Sequence, residues 1–224
     1  MTRRRIARLA VNAGLVAASA LTLLPLAWMV SVSLMPPGEA ASASRLLPSA
    51  PTLEHYRALF TRLDVARYAL NSALLASLVT ALSLLLNSMA GYAFAKLRFA
   101  GRDATFRTLL AALVVPGQLG MLPLFLLLKE LGLVNTYAGV VVPGLASIFG
   151  IFLVRQHALS LPDSILDAAR VDGASELRIY WSIALPALRP ILVTLGLFTF
   201  MGTWNDFLWP LIVLSDERMF TLPV

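Results

Sequence analysis

Side chains able to do chemistry gather in two places along this 224-residue chain. The first is Asn205-Asp206, set in an apolar run beside Trp204, Phe207 and Trp209. A carboxylate at mid-bilayer costs about 2.5–3.5 kcal/mol on insertion scales, so it faces a partner or water. Asp206 also lies about eight residues from the end of its run, or roughly 12 Å along a helix. Asn205 and Asp206 therefore read either as part of a translocation path or as interfacial structure within a tryptophan belt, and the second is favoured.

The second place is the polar segment 160–190. Ser160 and Asp163 fit a capping box that opens a short helix. Gly173 fits its C-terminal cap, where glycine takes a left-handed turn without strain. The helix is expected to run about 10–12 residues, or roughly 15–18 Å. Ser175 can cap a second short helix, which Pro186 would follow. Leu161, Ile165, Ala168 and Ala169 share one face of the first helix. The alanines keep that face shallow and suited to entering a groove, so the chemistry expected here is docking.

Catalysis and metal binding find little support. The chain has no cysteine, and its two histidines, His55 and His157, lie far apart. The apolar runs hold neither a second carboxylate to pair with Asp206 nor a Ser/His dyad, as an intramembrane enzyme would need. No G-x-x-x-x-G-K-[ST] sequence is present, so the chain supplies no P-loop of its own. The expectation is no catalytic residue, no metal site and no cofactor.

These residues are carried by an unusually apolar chain. Hydrophobic residues make up 58% and charged residues 13%, about half the charged share of soluble domains. Mean hydropathy is +0.79. A water-soluble enzyme, a disordered tail and a nucleic-acid-binding domain are all disfavoured. Five apolar runs, near residues 9–34, 68–95, 109–128, 137–154 and 191–214, are each long enough to span a bilayer at roughly 20 residues. The fold class is all-α, a polytopic transmembrane helix bundle with one domain over 1–224 and a polar loop, 156–190, between spans four and five. The first run exceeds the ~7–15 residues of a signal-peptide core. It is read as an uncleaved span, although Ala41-Ser42-Ala43 resembles a cleavage site.

The net charge of +6 follows from topology. With the N-terminus in the cytoplasm, the inside segments hold Arg3, Arg4, Arg5, Arg8, Lys96, Arg98, Arg102, Arg107, Arg155, Arg170, Arg178 and Arg189, which is 12 of 18 basic residues. Arg45, Arg57, Arg62, Arg67, Lys129 and Arg218 fall outside, mostly in a long loop where the bias is weak. Tyr92 and Lys96 sit where aromatic and basic anchors meet the membrane surface.

Two spans carry further pattern. Ser72, Ala76, Thr80, Ser83, Asn87 and Gly91 recur at spacings of 4, 4, 3, 4 and 4 on the second run. Small and hydroxyl residues on one stripe let helices approach closely. Packing within one bundle is favoured, and contact with a second membrane subunit or a path lining stays open. Pro116, Gly117, Gly120 and Pro123 interrupt the third run, which is expected to kink.

The loop resembles the EAA loop of the membrane subunits of binding-protein-dependent ABC importers. Asp167-Ala168-Ala169, Asp172-Gly173-Ala174, Ile183-Ala184-Leu185-Pro186 and Pro190 follow that motif in order and spacing, with Asp167 in place of the usual Glu. Asn71-Ser72, Tyr92-Ala93-Phe94-Ala95, Pro116, Pro123-Leu124-Phe125, Trp204-Asn205-Asp206-Phe207 and Trp209-Pro210 are similar to the carbohydrate branch, the maltose and glycerol-phosphate second permease. The resemblance implies a coupling helix around Asp163 to Asp172 that docks on a cytosolic ATPase dimer. Asp163, Asp167, Ala168, Ala169, Asp172, Gly173 and Ala174 are its expected coupling residues, with Gly173 setting the helix angle. It also implies a second homologous permease, an extracytoplasmic solute-binding protein, ATP bound by the partner subunit, and a place in the cytoplasmic membrane. Such subunits normally have six spans, so the chain is expected to lack its last helix. The competing class is an ion-gradient-driven secondary transporter. It would show inverted repeats and buried ionisable groups at mid-membrane, and neither is evident.

Overall fold

The computed structural model of the chain describes residues 2–39 and 46–224. Ala41-Ser42-Ala43 and Arg45 lie outside the described residues. Among the described residues the regular structure is all helical. The chain forms two compact units, Met1–Ala66 and Arg67–Val224.

The first unit contains α1, Thr2–Ser33, and α2, Glu54–Arg62. The apolar part of α1, Ala7–Ser33, has 27 residues and is long enough to cross a membrane. Ser33 Oγ and Tyr56 OH share a hydrogen bond of 2.8 Å. The Glu39 carboxylate accepts from the Ser49 hydroxyl at 2.8 Å.

The second unit is built on α3, Val65–Lys96, an unbroken helix of 32 residues. There follow α4 (Arg102–Ala112), α5 (Met121–Glu130), α6 (Tyr137–Gly144) and α7 (Ile148–Ala158). The polar loop holds α8 (Asp163–Val171), α9 (Glu176–Ile179), a π-helical stretch Tyr180–Ala184 and α10 (Leu185–Ala187). Then come α11 (Arg189–Trp204) and α12 (Leu208–Val213). Three helical stretches, at 7–33, 65–96 and 137–158, are each long and apolar enough to span. Two bent pairs bring the total to five if each pair is one span. The all-α reading holds, with three spans and up to five; the second bent pair, Glu176–Ala187 with Arg189–Trp204, begins inside the polar loop and not at residue 191.

The stripe on α3 packs inside this chain. Ser72, Ala76, Ser83, Asn87 and Gly91 are buried. Asn87 donates to Ser83 Oγ at 2.6 Å and accepts from the Ser147 backbone N–H at 3.0 Å. Ser147 in turn caps α7 by accepting from Gly150 N at 3.1 Å. A polar side chain thus satisfies backbone groups where the fourth span is interrupted, as an apolar surround requires. Gly91 lets α7 approach: a Cβ there would lie 2.6 Å from Val154 Cγ1.

Two expectations about proline are corrected. The third span does not simply kink. Its two halves meet at 97°, because the helix unwinds after Ala112 and restarts with the 3-10 turn Gly117–Gly120. Pro116 disfavours helical geometry at Val115, and the glycines nearby are poor helix formers. Pro123 sits in the first turn of α5, where a missing N–H costs nothing. Pro186 does not follow the second loop helix but lies within its continuation. The Leu185 N–H reaches back five residues to Tyr180 O, and this wider turn absorbs the donor that Pro186 lacks.

Arg155 ties three helices at the Lys96 end of α3. Its Nε donates to Phe94 O at 3.2 Å, and its guanidinium stands 4.1 Å from the Phe106 ring centre. At the Asn71 end, Asn71 donates to the carbonyls of Arg218 (3.0 Å) and Phe220 (2.9 Å). The Leu222 N–H bonds to Ser72 Oγ at 2.8 Å.

Candidate functional site

Helix α8 has nine residues, or about 13.5 Å, shorter than expected. It starts at Asp163 with Pro162 as its N-terminal neighbour and no side-chain cap. The proposed capping box is absent. Ser160 Oγ instead donates to His157 O at 2.7 Å, a carbonyl in the last turn of α7 that also accepts the Ser160 N–H at 3.1 Å.

The C-terminal end follows the sequence reading. Gly173 has φ +79°. Its N–H donates to Arg170 O at 3.0 Å, and the Ala174 N–H donates to Ala169 O at 2.9 Å. This pair of bonds is a Schellman motif, which uses the left-handed residue to satisfy the last carbonyls. Ser175 then caps α9 by accepting from the Arg178 N–H at 3.3 Å.

The faces of α8 sort differently from the expectation. Leu166 is 1% exposed and packs with Tyr92, Ile179, Tyr180 and Ala184, and Leu161, Ala169 and Ala174 lie against that cluster. Ile165, Ala168, Val171 and Asp172 are exposed. The face predicted from Leu161, Ile165, Ala168 and Ala169 is therefore split. Leu161 and Ala169 hold α8 to the protein, while Ile165 and Ala168 look outward. Leu166 was missed, although its place three residues before Ala169 puts both on one side.

Charged side chains fix the helix at both ends. Lys96 Nζ donates to Asp163 Oδ1 at 2.7 Å and to Leu161 O at 2.6 Å. Arg170 donates to Asp167 Oδ1 at 2.6 Å and to Glu176 at 2.7 and 3.3 Å, bridging the Gly173 turn. The Glu176 and Asp167 carboxylates raise the Arg170 pKa above its ordinary value. The Asp167–Arg170 pairing was legible from i,i+3 spacing. The Lys96–Asp163 pairing crosses 67 positions and leaves no local signal.

The Lys96 ammonium, by hydrogen bond and charge, holds the Asp163 carboxyl below its usual range. A carboxylate with a depressed folded pKa contributes stability at neutral pH and loses it only as pH falls through that depressed value. The unfolded reference is about 3.9. Acidifying from pH 7 to 5 is therefore expected to leave α8 clamped, with loosening only in stronger acid. Proteolysis of the loop against pH checks this, and cleavage rising already between pH 7 and 5 would contradict it.

Asn205 and Asp206 occupy the break between α11 and α12. Asn205 is exposed, and its side chain donates to Met201 O at 2.7 Å. Asp206 is half-buried, and its Oδ1 accepts from the Trp209 N–H at 3.3 Å. Trp209 is buried and donates its ring N–H to Gly139 O at 3.2 Å. Asp206, one residue before the N-cap position Phe207, thus accepts from the first turn of the short helix that seats Trp209. Asp206→Leu removes an acceptor at a helix start, worth about 1 kcal/mol, and is expected to lower uptake while the complex still assembles. Asp206→Asn keeps an acceptor and is expected to retain most uptake. Equal loss in both variants would show that the charge itself is needed.

Among the described residues no group of three or more His, Asp or Glu side chains could hold a metal ion.

Residues 83–224 match the family described as "Binding-protein-dependent transport system inner membrane component". The chain is 41% identical over 178 residues to the arabinooligosaccharides transport system permease protein AraQ of Halalkalibacterium halodurans, covering 79% of this chain and 64% of that protein. This is just under two thirds of that relative's length. Identity is 36% over 221 residues to AraQ of Bacillus subtilis, covering 97% and 79%. It is 34% over 229 residues to the lactose transport system permease protein LacG of Rhizobium radiobacter, covering 99% and 82%. Among solved structures, a bacterial ABC transporter involved in the import of the acidic polysaccharide alginate matches with a TM-score of 0.88 and 26% identity, over 99% of this chain and 79% of that one.

Proposed function

The chain belongs to the family of binding-protein-dependent transport system inner membrane components, and on that premise we propose that α8 is the helix through which a cytosolic ATPase drives it. The observation that carries this reading is the build of α8. It ends in a left-handed Gly173 turn, is anchored inward by Leu166, and presents Ile165, Ala168, Val171 and Asp172 outward. A face of that size on a rigid mount suits a groove in a partner. Asp163 and Asp167 act one step back from it, through Lys96 and Arg170, as supports of the helix. Ala169 and Ala174 pack under it.

In this reading the chain is one permease subunit of a heteromeric importer in the cytoplasmic membrane, with its N-terminus and the 156–190 loop in the cytoplasm. A second homologous permease completes the path, an ATPase dimer binds and hydrolyses ATP, and an extracytoplasmic solute-binding protein delivers the cargo. Relatives named for arabinooligosaccharides and for lactose support a sugar or related polyol as that cargo. Family membership does not favour the ion-gradient alternative. Asn205, exposed at the end of α11, is the side chain best placed to meet the path.

The test is to tag the full-length gene product, extract it gently from host membranes and identify what accompanies it. An ATPase and a second permease are expected. A chain that emerges alone or only with copies of itself would overturn the reading.

A further inference from the structure

We propose that Lys96 is a positioning residue that latches α8 to α3, so that α3 is the span that moves with the docking helix. This rests on the reading of α8 as the ATPase contact. The Lys96 side chain is 5% exposed, whereas that of Asp163 is 76% exposed. A buried ammonium needs partners, and both of the partners described here, Asp163 Oδ1 and Leu161 O, belong to the entry of α8.

A second grip lies two turns back. Ser88 Oγ and Tyr180 OH share a buried hydrogen bond of 2.7 Å, and the Tyr92 and Tyr180 rings stand 5.6 Å apart. Ser88, Tyr92 and Lys96 follow at steps of four, on one face of α3. That face therefore holds the loop on both sides of the Gly173 turn. Loop and helix end are one packed body, joined by three hydrogen bonds and a shared cluster.

Helix α3 is suited to carry a displacement further. It runs unbroken for 32 residues, whereas the other spans of this unit are interrupted at 113–116, 145–147 and 205–207. At its far end Asn71 and Ser72 hold the backbone at Arg218, Phe220 and Leu222. A push on α8 thus has one rigid element through which to reach the opposite end of the bundle, one of the routes by which distant sites couple.

The test uses the complete transporter in proteoliposomes, with lactose and arabinooligosaccharides as probe cargoes and the matching binding protein. Uptake per ATP hydrolysed is measured for Lys96→Met, Lys96→Arg and Asp163→Asn. Coupling energies of this kind correspond to roughly 5- to 150-fold effects, so Lys96→Met is expected to lower the ratio about fivefold or more, with the ATPase still bound. Lys96→Arg, which keeps charge and donors, is expected to recover most of it. Asp163→Asn, at an exposed position that folding tolerates, is expected to lower the ratio less than Lys96→Met. If Lys96→Met fails to fold, Asp163→Asn decides alone. Unchanged ratios in the folded variants overturn the latch while leaving the docking reading intact. An unmodified chain that brings down no ATPase overturns both.

Discussion

Gly173→Val is expected to strip the ATPase from the purified complex and abolish uptake while the chain still inserts. Gly173 sits at φ +79°, where a β-branched residue is a steric outlier. Holding a side chain there costs about 1–3 kcal/mol. No atom lies within 4 Å of the position its Cβ would take, so the effect comes from backbone strain and not from crowding within the chain. The strain is relieved by losing the two Schellman bonds, which swings α8 against α9 and spoils the outward face. At 1–3 kcal/mol the loss of docking is roughly 5- to 150-fold. Gly173→Asn is expected to be the mildest change, because asparagine tolerates left-handed geometry, and Gly173→Asp should fall between. Co-purified ATPase per permease, measured beside the permease level in membranes, reads this out. Full ATPase with Gly173→Val would contradict it.

The second large effect is on folding. Gly91→Leu is expected to remove most folded protein from the membrane. The first atom of any side chain would sit 2.6 Å from Val154 Cγ1, 2.7 Å from Val154 Cβ and 3.0 Å from the Arg155 backbone nitrogen. Overpacking of this kind costs about 1–3 kcal/mol and occasionally more, a large share of a net stability near 5–15 kcal/mol. The displaced segment also carries Arg155, which ties α7 to Phe94 and Phe106. Pairing the change with Val154→Ala is expected to restore part of the loss. Thermal unfolding in detergent gives the order: native, then the double variant, then Gly91→Leu. A single variant as stable as the native chain would contradict the contact.

Much of this was legible before any coordinates. Apolar run length set the candidate spans and their helical form, because every backbone group in hydrocarbon must be satisfied internally. The small-residue stripe on α3 reads as packing, and Asn87 and Gly91 show why: one feeds a broken helix end and the other admits a neighbour. Gly173 and Ser175 announced the ends of α8 and α9 through local backbone chemistry. What stayed hidden was set by competition or distance. Ser160 had two possible roles, accepting from an N–H at the start of α8 or donating to a carbonyl at the end of α7, and its hydroxyl takes the second, at His157. The third span broke because Pro116 acts together with the glycines beside it. Lys96 looked like a surface anchor, since nothing local shows a partner 67 positions away. Leu166 escaped because the alanines of the motif drew the helical face one step round from its true anchor.

The central claim is that the Ala168 side of α8 is where the ATPase sits. The chain has no cysteine, so single cysteines can be introduced at chosen points of the loop in the assembled transporter. Ala168→Cys, on the exposed face, would carry a short thiol-reactive photo-crosslinker, and Ala184→Cys, buried in the same loop, would serve as its control. The account predicts a cross-link to the ATPase subunit from position 168 and none from position 184. Absence of any ATPase cross-link from 168, or an equal yield from both positions, would contradict it.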